Sequence, residues 1–150
     1  MSVELPMATV DDLIRRVNPD LRVSSGAAEV LAQRIQGRGA AVAADAAGRA
    51  REDGRKTIMA EDFAFRIDGV EEDDVELPIA PVDRIARLDV DDFRVGQQAR
   101  LVLTAYLERW GERVAEGAGK LARHADRKTV QAEDVEAYFD VCGESVAPRL

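Results

Sequence analysis

The feature that most constrains this chain is that it is written twice. Sliding the 150-residue sequence against itself by 72 positions aligns residues 3–69 with 75–141 without a gap, and about 27 of the 67 pairs are identical. The best-kept block is Arg55-Lys56-Thr57-Ile58-Met59-Ala60-Glu61-Asp62 against Arg127-Lys128-Thr129-Val130-Gln131-Ala132-Glu133-Asp134. Each copy is a turn with two cations and a hydroxyl, one β-branched residue, and then acids where the first turn of a helix favours them. Arg and Asp stand seven positions apart in both copies. Arg55 with Asp62, and Arg127 with Asp134, are therefore expected to clamp loop to helix by charge-assisted, bidentate contacts. A solvated surface pair would be worth at most about 1 kcal/mol, but two copies in one register favour the clamp.

The rest of each repeat reads as helix. Pro6 and Pro78 suit the position just before a helix or its first turn. Val10, Leu13, Ile14 and Val17 then recur at helical spacing, as do Val82, Ile85, Ala86 and Leu88. Leu21-Arg22-Val23 and Phe93-Arg94-Val95 alternate apolar, basic, apolar, which predicts a brief extended loop with its arginine outward. Ser24-Ser25 offers an N-cap for a long helix, and Gly96-Gln97 a weaker one. The long stripe is Leu31, Ile35, Val42, Ala46 and Ala50 in the first copy, and Leu103, Leu107, Trp110, Val114, Ala118, Leu121 and Ala125 in the second. Gly39 and Gly111 share one repeat position, which predicts a close helix crossing. A third, short helix is expected to carry Phe63, Phe65 and Ile67, or Val135, Tyr138, Phe139 and Val141.

The expected organisation is residues 1–67, an acidic linker 68–74, residues 75–142, and a frayed tail 143–150. A helix of roughly 30 residues is about 45 Å long, too long for two short partners to bury its stripe. The two copies should therefore intertwine as one all-α, pseudo-twofold unit, with neither half folding alone.

Charge and composition restrict function. Lys+Arg is 21 against 29 Asp+Glu, net −8, and only Lys56, Lys120 and Lys128 are lysines. An acid-rich, Lys-poor, Ala-rich surface predicts solubility in concentrated salt, where the Debye length is about 3 Å or less and net charge hardly deters a nucleic acid. An ordinary acidic protein is the plainer alternative. No run approaches the roughly 20 apolar residues of a membrane span, and Met1-Ser2-Val3-Glu4 lacks a basic signal flank, so a soluble intracellular protein is expected. The single Cys142 excludes an internal disulfide, and one His with one Cys offers no metal set or nucleophile–base pair. Gly117-Ala118-Gly119-Lys120 falls short of a phosphate loop, because Val114 and Leu121 replace its required Gly and Ser/Thr. No enzyme, metal, cofactor or small-molecule substrate is expected.

Glu76-Leu77-Pro78-Ile79-Ala80-Pro81 and Leu121-Ala122-Arg123-His124-Ala125-Asp126-Arg127-Lys128-Thr129 strongly resemble archaeal histones. With its acidic surface, the whole looks like a haloarchaeal histone with two folds fused in one chain. The resemblance spans roughly residues 3–141 and is more worn in the first copy. It implies tandem histone folds (short helix, long helix, short helix, twice) paired as an intramolecular handshake, holding double-stranded DNA along a basic edge. On that basis Arg22 would lie beside Thr129 and Arg94 beside Thr57, the arginines entering the minor groove. Lys56, Lys128, Arg84, Arg87 and Arg15, the repeat counterpart of Arg87, would reach phosphates, and the first-helix N-termini would add N–H groups. This is backbone-plus-deformability binding of the kind seen in the eukaryotic histone octamer. Asp12 stands where the second copy has Arg84, which predicts lopsided binding. His124, with Leu121 and Asp134, resembles the family's contact between pairs, so self-association is expected through the second fold; Glu52 replaces His124 in the first. The expected role is a nucleoid-associated architectural protein of the cytoplasm that bends or wraps DNA and affects transcription. A histone-fold interaction module acting through protein partners is the rival.

Overall fold

The computed structural model describes residues 2–143. Its elements are α1 (Met7–Val17), β1 (Arg22–Val23), α2 (Ser25–Glu52), β2 (Thr57–Ile58), α3 (Ile79–Ala86), β3 (Arg94–Val95), α4 (Gln97–His124), β4 (Thr129–Val130) and α5 (Ala132–Cys142). Short 3₁₀ turns stand at Ala60–Asp62 and Glu72–Asp74. Pro6 and Pro78 lead into α1 and α3 in extended conformation, as residues that cannot donate a backbone N–H are best placed to do. Ser24 Oγ accepts the Ala27 N–H at 3.1 Å and so caps α2. Both long helices end in a left-handed residue, Gly54 (φ 73°) and Asp126 (φ 64°). Each turn is closed by the arginine that follows, Arg55 N–H to Ala50 O at 2.8 Å and Arg127 N–H to Ala122 O at 2.9 Å.

The compact units in space do not coincide with the repeats in sequence. Unit I consists of Gln36–Leu107 with the residues up to Leu5; unit II consists of Pro6–Ile35 with the chain from Glu108 onward. Each long helix gives one half to each unit, so each unit is assembled from both repeats. This is the handshake in structural form.

In unit I, Val82, Ile85, Phe93, Leu103 and Leu107 are buried, as are Ala43, Ala46, Ala47 and Ala50 of α2. A Cβ at Gly39 would come within 2.7 Å of Ile85 Cγ2 and 2.9 Å of Leu107 Cδ1, so only glycine admits α4 that close to α2. In unit II, Val10, Leu13 and Ile14 of α1 join Leu31, Ile35, Trp110, Val114, Ala118, Val135 and Phe139. Gly111 stands equally close to α2, a Cβ there lying 3.0 Å from Ile35 Cδ1. Burying each such large aliphatic side chain contributes roughly 1.5–3 kcal/mol. The ends of the stripes fall away: Leu88 and Val141 are exposed, Ala125 lies beyond α4, and Val42 and Leu121 are half-buried.

One expected element is absent. The first repeat has no third helix; after the 3₁₀ turn Ala60–Asp62 the chain bends through residues 63–65 without regular structure, Phe63 itself having φ −73° and ψ 150°. Phe63, Phe65 and Ile67 alternate with polar or small residues, the period of a strand rather than a helix. On this non-helical path Phe65 stacks between Phe63 (centroids 4.8 Å apart) and Tyr106 (4.1 Å). Gly69 follows with φ 70°. The acidic linker is itself folded, since Val70 is buried and Asp74 accepts the Glu71 N–H at 2.8 Å across the turn Glu72–Asp74. Of the expected tail, residues 144–150 lie outside the described residues.

Candidate nucleic-acid interface

Each unit carries one pair of loops joined by a two-residue parallel ladder. In unit II, Arg22 stands opposite Thr129 and Val23 opposite Val130. The Arg22 N–H donates to Lys128 O at 2.8 Å and the Ser24 N–H to Val130 O at 3.0 Å. In unit I, Thr57 stands opposite Arg94 and Ile58 opposite Val95. There the Arg94 and Gly96 N–H groups donate to Lys56 O and Ile58 O, both at 2.9 Å. The flanking apolar side chains explain the exposure of the arginines. Leu21, Phe93, Val95, Ile58 and Val130 are buried, which leaves Arg22 and Arg94 facing solvent between them. Neither arginine has an ion pair among the described residues.

The Arg–Asp clamps fix the other side of each loop. Arg55 donates to both oxygens of Asp62 at 2.8 and 2.7 Å, and Arg127 does the same to Asp134, through Nη1 at 2.6 Å and a second bond from Nη2. Each carboxylate also accepts a backbone N–H, from Met59 at 2.7 Å or Gln131 at 2.8 Å. Both aspartates are buried. The Arg55 guanidinium, helped by the Met59 N–H, holds Asp62 below the usual carboxylate range against the opposing effect of burial. Arg127 is likewise raised by its bond to Asp134.

A family model described as histone-like transcription factor (CBF/NF-Y) and archaeal histone matches residues 3–65 and again 75–137. The chain belongs to this family. It is a tandem histone-fold protein of a DNA-binding, chromatin-associated family, and not an enzyme. Among curated relatives, one of the subunits of the archaeal histone HAN1 from Thermococcus zilligii is 50% identical over 60 residues, 40% of this chain and 88% of that protein. Among solved structures, the histone from Methanopyrus kandleri superposes with a TM-score of 0.66 at 23% identity, covering 95% of this chain and 99% of that one. A protein from Thermus thermophilus superposes with a TM-score of 0.70 at 19% identity, covering 95% and 99%. At those identities the two structures speak to the fold alone.

The remaining cations of this histone-fold chain are mostly engaged. Lys56 Nζ lies 3.2 Å from Asp92, Arg84 Nε 2.8 Å from Glu4, Arg87 Nη2 3.1 Å from Asp83, and Arg15 Nε 2.5 Å from Asp11. Lys128 has no ion pair among the described residues. Asp12 is exposed on α1 where the second histone fold has exposed Arg84. His124 is exposed and Leu121 half-buried, whereas Asp134 is buried with both oxygens taken up by Arg127. The family loops thus contain two residues that sequence reasoning passed over, Asp20 and Asp92, each two positions before an exposed arginine and facing the lysine of the opposite loop. Their identity in the repeat alignment was the available signal. Arg123 holds Asp20 down to about 2, and Lys56 lowers Asp92. Among the described residues no helix is long and apolar enough to cross a membrane, and no cluster of three metal-ligating side chains occurs.

Proposed function

We propose that this protein binds duplex DNA as an architectural chromatin component, bending or wrapping it with little sequence preference and affecting transcription through occupancy. In this reading Arg22 and Arg94 insert into the minor groove, each positioned by the threonine across its ladder, Thr129 or Thr57. Lys56, Lys128, Arg15, Arg84 and Arg87 meet phosphates, and the N-termini of α1 and α3 add N–H donors. The observation that carries the reading is that Arg22 and Arg94 are exposed and unpaired at repeat-equivalent ladders, in a chain where most other candidate cations are held by acids. The archaeal histone relative supports it. Self-association runs through the second fold, by way of His124 and Leu121. The acidic balance of −8 fits a cytoplasm rich in KCl, where screening removes its bar to association with the nucleoid.

The test is a binding titration on unrelated duplexes at several KCl concentrations. Arg22→Ala and Arg94→Ala should each weaken binding on every sequence, most on flexible or narrow-groove DNA. Thr129→Ala should imitate Arg22→Ala more mildly, and Thr57→Ala should imitate Arg94→Ala. A double arginine variant that binds like wild type would assign the protein to the rival reading, a histone-fold module for protein partners. That rival draws its support from the net charge and from the engaged state of Lys56, Arg84, Arg87 and Arg15.

A further inference from the structure

The two ladders share a sequence pattern, yet the charges around them are arranged differently. In unit I, Asp92 accepts a bond from Lys56 at 3.2 Å. Arg51, which could take over that carboxylate, is turned instead to Phe93, its guanidinium carbon 4.8 Å from the ring centroid. In unit II the equivalent arginine makes the other choice. Arg123 Nε and Nη2 donate to the two oxygens of Asp20 at 2.9 and 2.7 Å, and Nη2 also reaches Asn18 Oδ1 at 3.2 Å. With Asp20 bonded to Arg123, the Lys128 side chain makes no hydrogen bond or ion pair of its own among the described residues, although its charge still helps to lower Asp20.

The cause is legible in two repeat positions. Phe93 offers Arg51 an aromatic face, and its counterpart Leu21 offers Arg123 none. Asn18 offers Arg123 an acceptor, and its counterpart Val90 offers Arg51 none. Asn18 is itself fixed, fully buried with Nδ2 donating to Ile14 O and Ala115 O, both at 3.0 Å.

We propose that Phe93 and Asn18 are positioning residues that decide which loop lysine is available to DNA, making the Arg22–Thr129 ladder the stronger phosphate contact and the Arg94–Thr57 ladder the weaker. The inference rests on the DNA-binding reading above. A free lysine that meets a phosphate releases a counterion from the duplex. A lysine that abandons an aspartate leaves behind a carboxylate that takes up a cation, so the two exchanges cancel and the contact adds little to the salt dependence.

Full-length variants titrated with one mixed-sequence duplex over a KCl series test this. Lys128→Ala should weaken binding and flatten the log–log salt slope by about 0.9. Lys56→Ala should lose less than half as much affinity, with little change in slope. Asp92→Asn, at a half-exposed side chain outside the core, should tighten binding and steepen the slope by about 0.9. Phe93→Leu should hand Asp92 to Arg51 and make Lys56→Ala, in that background, as costly as Lys128→Ala. Equal losses from the two lysine variants in the wild-type background, or an Asp92→Asn protein indistinguishable from wild type, would overturn the proposal while leaving DNA binding intact. Wild-type protein that binds no duplex at any KCl concentration would overturn both.

Discussion

Asp62 and Asp134 each accept two bonds from an arginine seven residues back while their side chains stay only 4% and 3% exposed. A carboxylate taken that far from water is stable as an ion only when it is paired and well hydrogen-bonded, and the Met59 and Gln131 N–H groups add a third bond to each. Removing it leaves the half-buried Arg55 guanidinium only Asp53 and the Thr57 carbonyl as partners, so Asp62→Ala should cost about 1–3 kcal/mol in urea melts; an unchanged midpoint would mean that those partners and solvent suffice. The same residue shapes the acid response. Its folded pKa lies below the unfolded value of roughly 3.9, so its stabilising effect is complete above about pH 4 and is lost as pH falls through the folded value. Glu112 acts in reverse: burial raises it, so ionisation costs stability at neutral pH and that cost disappears on acidification. Asp62→Asn should therefore be less stable than wild type at pH 7 and should lose less on going to pH 3.

At the scale of elements, the long helices and the extended loop segments are legible because they rest on periods and blocks that the chain writes twice, whereas the pairing of those loops follows from the resemblance to archaeal histones. The missing third helix of the first repeat is not legible from the repetition. Phe63, Phe65 and Ile67 are spaced by two, which is not the stripe of a helix, whereas Val135, Tyr138 and Phe139 keep steps of three and one. Nor is the Asp92–Lys56 pair legible, whose partners are 36 residues apart and meet only once the ladder forms. A subtler match joins α1 to α4. A Cβ at Gly119 would stand 1.8 Å from Asn18 Oδ1, and unit I has Val90 and Ala47 at the two equivalent repeat positions. Gly→Ala within a helix ordinarily gains up to about 1 kcal/mol, but here Gly119→Ala should lose about 1–3 kcal/mol by evicting the buried amide. The double variant Asn18→Val, Gly119→Ala reproduces the residue pair of unit I and should recover most of that loss. Additive single losses in a double-mutant cycle would show the two positions to be independent.

Because units I and II each draw segments from both repeats, the molecule as a whole should unfold as one cooperative object. A fragment of residues 75–150 should show no cooperative monomeric melt; a sharp, concentration-independent transition would contradict the interleaving. For the intact chain, stability should climb as KCl rises and screens the surplus acids, and a steady fall would remove the halophilic reading. Fusion also loosens a constraint that identical partners cannot escape. In a pair of identical chains every substitution appears at both ends, and the assembly looks the same from either side. Here Leu21 with Asn18 and Phe93 with Val90 coexist in one molecule, so its ends differ. On a duplex such a molecule has two distinguishable orientations, and a row of them laid down in one sense has a head and a tail.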